Sequence, residues 1–374
     1  MAHKGYFVIS DITGYTAFLT GSELDHAQDI LKSLFDTLLD TIKPPLLISN
    51  FQGDAILTYA PAESLDTRQI LLDAVESIYC AFAKKREMME RQTTCTCKAC
   101  ANIHTLDLKL FVHYGEYVLQ DMRGKAELSG PDVIIAHRMM KNTVKEQTGY
   151  KAYTLFTAAS IEAMGLQELT AEMKPHAETY EHIGEVGMYA YDLKTMWDRR
   201  REEHQVVIHP DDAWIKLEVD LPAPPSVVWE YLVTPDKRFR LMDKTRVVGV
   251  TRSALKNGRI VNGSLMHCAH GDGSMTNFQM LDYQPFDYFT EFCFGMPMTL
   301  AAQQMFRLTP TPEGTRLMVC ATKPQARSPI YKLMGNLVAP FLHQAFASDY
   351  ANMMDRLRQA LLEDEAARAQ AEPA

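Results

Sequence analysis

Tyr6-Phe7-Val8-Ile9-Ser10-Asp11-Ile12, followed by Thr13-Gly14-Tyr15-Thr16, is the stretch from which the fold is read. A short, mostly apolar run ahead of a glycine-containing loop has the pattern of a buried strand. From about Ser22 to Lys43, Ala27, Ile30, Leu31, Leu34, Phe35, Leu38 and Ile42 share one helical face. Ser22 and Asp25 read as a capping box, and Pro44 with Pro45 stops the helix. Apolar runs at 46–49 and 55–59, joined across 50–54 through Gly53, predict a hairpin. A second helix is expected over 66–93, a strand over 106–113 and a strand with a loop over 115–130. A helix over 131–147, a strand over 151–156, a helix near 158–164 and a strand over 186–192 complete the unit. The order βαββαβ predicts an α+β, ferredoxin-like domain whose mainly antiparallel sheet carries helices on one side.

The pattern changes downstream. Residues 195–210 are charged and read as a linker between a first domain at 1–194 and a second at 211–363, with a disordered tail at 364–374. In the second domain Trp214, Leu217 and Val219 mark a strand, and Pro222-Ala223-Pro224-Pro225-Ser226 opens a helix. Strand-like runs follow at 246–252, 260–268, 276–283, 287–294, 302–309 and 315–322, then a long amphipathic helix over 329–363.

The chain has 374 residues, a length that favours two domains. A net charge of −9 lacks the basic footprint of a general nucleic-acid binder. No stretch approaches 18 uninterrupted apolar residues, and the N-terminus reads as a strand, so neither an integral membrane segment nor a signal peptide is expected. The odd count of 7 cysteines fits a reducing, cytoplasmic setting.

Phe7-Val-Ile-Ser-Asp11-Ile-Thr-Gly-Tyr-Thr16 resembles the first strand and loop of class III nucleotidyl cyclase catalytic domains. Gly53-Asp54-Ala55 is similar to that family's second carboxylate motif, and the stretch from Gly130 through Arg138 to Met139 resembles the helix after its third. The resemblance covers roughly residues 5–193. It implies a cyclase that joins the 3′-hydroxyl of a nucleoside triphosphate to its own α-phosphate, using two Mg²⁺ or Mn²⁺ ions. Asp11, Asp54 and the Ile12 carbonyl would hold the metals, Arg138 would stabilise charge on the phosphate, and the site would form between two subunits of a homodimer. The nucleotide-reading positions depart from the family. Asn50 stands where a base-selecting lysine is expected, Glu127 falls near its polar partner, and Ile134 replaces a ribose-orienting asparagine. Glu181-His182-Ile183-Gly184 lacks the family's lysine. These departures favour an alternative, a sensor that binds nucleotide or a hydrophobic ligand without turnover.

Residues 213–362 resemble the START-like superfamily of polyketide cyclases and lipid-transfer domains, implying a helix-grip fold with an antiparallel sheet around the last helix. His267, His270, Phe278, Phe292, Met305 and Phe341 are the candidate pocket residues for a small hydrophobic ligand, with Met298, Met334 and Leu337 also read as inward. Chemistry in that pocket would rest on His267 and His270. Separately, Cys95, Cys97, Cys100 and His104 have the density of a zinc site, although the C-x-C-x₂-C spacing is tighter than paired knuckles.

Overall fold

The strand read from the opening stretch runs over His3–Thr13 (β1), and residues 5–10 are buried without a break. A strand buried at every position is covered on both faces, which corrects the expectation of helices on one side only. The computed structural model describes residues 2–64, 69–93, 95, 97–121, 126–202, 205–296, 300–326 and 329–371. They divide into two compact units, residues 1–203 and 204–374.

In the first unit β1 is followed by α1 (Tyr15–Gly21), α2 (Leu24–Thr41), β2 (Leu47–Gln52), β3 (Ala55–Pro61), α3 (Gln69–Gln92) and α4 (Lys98–Ala101). Then come β4 (Asp107–Asp121), β5 (Ala126–Ser129), α5 (Pro131–Arg138), α6 (Val144–Thr148), β6 (Tyr153–Thr157), α7 (Ala158–Met164), β7 (Lys174–Tyr180), β8 (Gly184–Asp192) and α8 (Leu193–Glu202). The sheet order is β2-β3-β1-β4-β6-β8-β7, with β5 paired to β4. Only β4 and β6 run parallel among the described pairs. On one face Phe7, Ile9, Leu57, Phe111 and Leu155 pack against Val133, Ala136 and Met139 around α5.

Three local expectations are corrected. The α2 N-cap is Glu23 and makes no side-chain cap bond, so Ser22 and Asp25 form no capping box. The predicted helix at 131–147 breaks into α5 and α6, because Asn142 accepts the Val144 N–H and donates to the Met139 carbonyl. The charged linker starts as a helix docked on its own unit: Leu193 and Met196 of α8 are buried, and Trp197 and Arg200 reach Glu87 and Glu76 of α3.

The second unit contains β9 (Ile215–Leu221), α9 (Pro225–Val233), α10 (Pro235–Leu241), β10 (Val247–Ser253), β11 (Leu265–His270) and β12 (Met275–Gln284). It continues with β13 (Tyr288–Phe294), β14 (Leu300–Thr311), β15 (Gly314–Ala321), β16 (Gln325–Ala326) and α11 (Pro329–Ala371). The antiparallel order is β10-β11-β12-β13-β14-β15-β9, with β16 on β14. Trp229 of α9, Phe289 and Phe306 of the sheet, and Met353, Leu357 and Leu361 of α11 share one core. The tail expected to be disordered is helical as far as Ala371. Asp364 explains why: it accepts hydrogen bonds from Arg240 and from the Tyr231 hydroxyl. No helix among the described residues is long and apolar enough to cross a membrane.

Candidate functional site

Asp11 lies near the end of β1, opposite Ala55 of β3 on one side and Lys109 of β4 on the other. The turn between β2 and β3 needs Gly53 in the left-handed region, φ 62°, and this turn sets Asp54 beside the end of β1. The Ile12 N–H donates to the Asp54 carbonyl at 3.3 Å, pinning the two acidic segments together. Burial, then the charge of Asp54, pushes the Asp11 carboxyl up to about 6, against the opposing pull of Lys109. Burial in turn lowers the Lys109 ammonium, which Asp11 partly offsets. The same sheet face carries Tyr153, whose ring lies 5.4 Å from the Lys109 nitrogen and whose hydroxyl donates to Asn142 at 2.8 Å. Lys109 and Tyr153 were not singled out in the sequence. The signal available was β4 alternation, which puts Lys109 on the face of buried Phe111.

Two carboxylates held this close repel one another. The arrangement therefore fits a hard divalent cation, which takes oxygen ligands. Arg138 is not brought onto this pair. It is exposed at the end of α5, one turn from Ile134, which is 54% exposed on the same stripe. Asn50 on β2 is half-buried, and its Oδ1 has no hydrogen-bond partner among the described residues. Glu127 on β5 is exposed, and Glu181 pairs with its exposed neighbour His182.

α5 is fixed by a small polar cluster. Asp132 accepts the Glu116 N–H at 2.6 Å and faces His113 Nε2 at 3.3 Å, while His113 Nδ1 meets Thr157 at 2.9 Å. Gly115 leaves the space that Asp132 fills, since a Cβ there would overlap the Asp132 side chain.

The second unit holds a half-open cavity of about 680 Å³ lined by Phe278, Leu300, Phe306, Phe346 and Met353. Its polar lining includes Arg238, His270, Thr276, Gln304 and Tyr350. Arg238 pairs with Glu291 at 3.4 Å, Gln304 donates to the same carboxylate at 3.0 Å, and Tyr350 donates to Gln304 at 2.6 Å. Arg238 Nε keeps no partner among the described residues.

Strand alternation sorts the predicted pocket residues. His270 and Phe278 line the cavity. His267 points the other way, to Ser253 and Asn277. Phe292 stacks on Phe294, away from cavity-lining Cys293. Met305 packs with Ile208, Tyr288 and Cys320, and Phe341 is 77% exposed. These four are corrected as lining residues. Met298 and the side chains of Met334 and Leu337 lie outside the described residues. Cys95, Cys97 and Cys100 do come together, but with His26. His104 instead places Nδ1 3.0 Å from the Ala101 carbonyl.

A sequence-family model described as "protein of unknown function (DUF2652)" matches residues 31–150. An uncharacterized protein of Mycobacterium tuberculosis is 29% identical over 166 residues, 44% of this chain and 74% of that protein. Among solved structures, the guanylyl cyclase Cya2 aligns with 51% of this chain and 92% of its own, at 16% identity and a TM-score of 0.40. The adenylyl cyclase CyaB from P. aeruginosa aligns with 51% of this chain and 94% of its own, at 14% identity and a TM-score of 0.37.

Proposed function

We propose that the chain is a class III-like nucleotidyl cyclase, a phosphorus–oxygen lyase. It converts a nucleoside triphosphate to a cyclic nucleotide and pyrophosphate for signalling. The observation that carries this reading is the carboxylate pair Asp11 and Asp54, held at adjoining strand ends, where burial first and the charge of Asp54 second raise the Asp11 carboxyl. The 3′-hydroxyl oxygen attacks the α-phosphorus, the bond to the bridging oxygen of pyrophosphate breaks, and the hydroxyl proton leaves to solvent. When bound, Mg²⁺ or Mn²⁺, two per site, would supply activation of the attacking hydroxyl and charge neutralisation on the phosphate oxygens. Asp11, Asp54 and the Ile12 carbonyl would hold those ions. Arg138 of the partner subunit stabilises the negative charge of the transferring phosphate. Exposure of Arg138 on α5 supports a role in trans, and exposed Leu47, Ile48 and Phe51 on edge strand β2 give a homodimer an apolar contact beside the aspartates.

The second unit is START-like in this reading and modulates output through a small hydrophobic ligand. Its cavity falls within the roughly 300–1,000 Å³ of small-ligand sites, and Arg238, Thr276, Gln304 and Tyr350 give its otherwise apolar wall a few polar groups. Regulation then requires that ligand to bind the active and inactive states with different affinity.

The test incubates the whole chain with ATP, GTP, CTP or UTP and Mg²⁺ or Mn²⁺, with and without a hydrophobic cell extract, and reads products by mass spectrometry. A cyclic monophosphate is expected, lost in Asp54→Ala and in Arg138→Ala. Mixing the two variants should restore part of the activity, because one mixed site is intact. Absence of product under every condition, with nucleotide binding retained in a direct titration, would favour the second reading instead. In it the first unit binds nucleotide without turnover, as Asn50 and Ile134 favour.

A further inference from the structure

We infer that His26, Cys95, Cys97 and Cys100 form a tetrahedral zinc site that clips the start of α2 to the segment joining α3 and β4. The four ligand atoms come from two stretches some 70 residues apart, and all lie within 4.8 Å of one another. His26 Nδ1 stands 3.2 Å from Cys97 Sγ, 3.6 Å from Cys95 Sγ and 3.9 Å from Cys100 Sγ. A tetrahedron with Zn–N and Zn–S bonds of about 2.0 and 2.3 Å has nitrogen–sulfur edges of about 3.5 Å. The observed edges bracket that length. Three thiols crowded together without a metal gain nothing comparable, since S–H is a weak donor and S a weak acceptor.

The surroundings are built for thiolate. The Cys100 N–H points at Cys97 Sγ, 3.4 Å away, so a backbone amide supports the sulfur charge. Glu23 accepts the Ala99 N–H at 3.1 Å, tying α4 to the residue that caps α2. His104 has no part in the site, its ring being turned to the Ala101 carbonyl. Three sulfurs and one imidazole are soft to borderline ligands and select zinc over the hard cation proposed at the aspartates. The four ligands fill a tetrahedron, so the site is closed and structural rather than hydrolytic. It is also independent of the cyclase reading.

The test purifies the whole chain under reducing conditions, measures zinc by mass spectrometry and replaces it with Co²⁺. One metal per chain is expected, with tetrahedral d–d bands and thiolate-to-cobalt charge transfer. His26→Ala should weaken binding more than about 100-fold, exceeding the 10–100-fold typical of an outer-shell partner. His104→Ala should change nothing. His26→Cys should keep the stoichiometry while strengthening the charge-transfer band by a fourth thiolate, a readout that a folding defect does not mimic. An unmetallated chain that takes up no Co²⁺ would overturn the site. So would a His26→Cys spectrum identical to that of the unaltered protein.

Discussion

Asp11 is where burial, a like charge and an opposing lysine meet, and the first two win. Its carboxyl is pushed from 3.8 up to about 6. A raised carboxyl pKa means that the folded state binds more protons than the unfolded chain between about pH 3.8 and 6. Stability contributed by this residue is therefore greatest below that window and is lost as pH rises through it. The full penalty at neutral pH is on the order of 1–3 kcal/mol. In metal-free buffer Asp11→Asn should be more stable than the unaltered protein at pH 7.5 by about that amount. Below pH 4 the two should converge. Urea titrations across this range check it, and a variant no more stable at pH 7.5 would remove the idea that Asp11 is strained. Such a residue costs the fold something and is retained for another reason, as sites of function are. Asp11 and Asp54 were legible because a strand and a turn each end in an acidic residue. Lys109 was not, because its place beside Asp11 depends on the pairing of β1 with β4. His26 was hidden by the same separation along the chain.

Helix α5 is placed by one contact that admits no extra atom. The Asp132 side chain occupies the space over Gly115, accepts the Glu116 N–H and faces buried His113. Gly115→Ala must displace Asp132 near its Cβ, not merely at a flexible tip, so the strain is expected to cost about 1–3 kcal/mol. Under the proposed cyclase function, in which α5 carries Arg138, cyclic product should fall more steeply than stability. Thermal melts and product assays on the same preparation check this, and an active, fully stable Gly115→Ala would show that α5 is not held through this contact. Elements with strong apolar periods, such as β1, α2 and α7, could be read from sequence because burial follows the period. β7 could not. It contains Pro175, it is an edge strand, and only His176 and Tyr180 are buried along it. α8 was mistaken for a linker because its charges suggested solvent, whereas Arg200 is paired with buried Glu76. In the second unit the strand pattern was plain, but the facing of each strand was not. His267 and Met305 therefore fell on the wrong side.

At the scale of the whole chain, each unit has a core of its own. Leu155 of β6 is fully buried among residues of the first unit, and Leu357 of α11 among residues of the second. Cores closed in this way are expected to melt as separate cooperative units. Scanning calorimetry of the whole chain should show two transitions. Leu155→Ala should lower one and Leu357→Ala the other, each by about 2–5 kcal/mol. For units of this size that corresponds to a shift of several degrees, at about 2–4 °C per kcal/mol. A zinc chelator should lower the transition that moves with Leu155→Ala, because His26 and the cysteines belong to that unit. Occupancy of the cavity by an apolar ligand should raise the transition that moves with Leu357→Ala, by mass action. If that ligand also raised the first transition, the units would share free energy, which modulation of a cyclase by the cavity requires. A single transition moved equally by both leucine variants would refute separate melting. If the ligand raised only its own transition and left cyclic product unchanged, cavity and cyclase would be uncoupled, and the modulation reading would fall while the catalytic one stood.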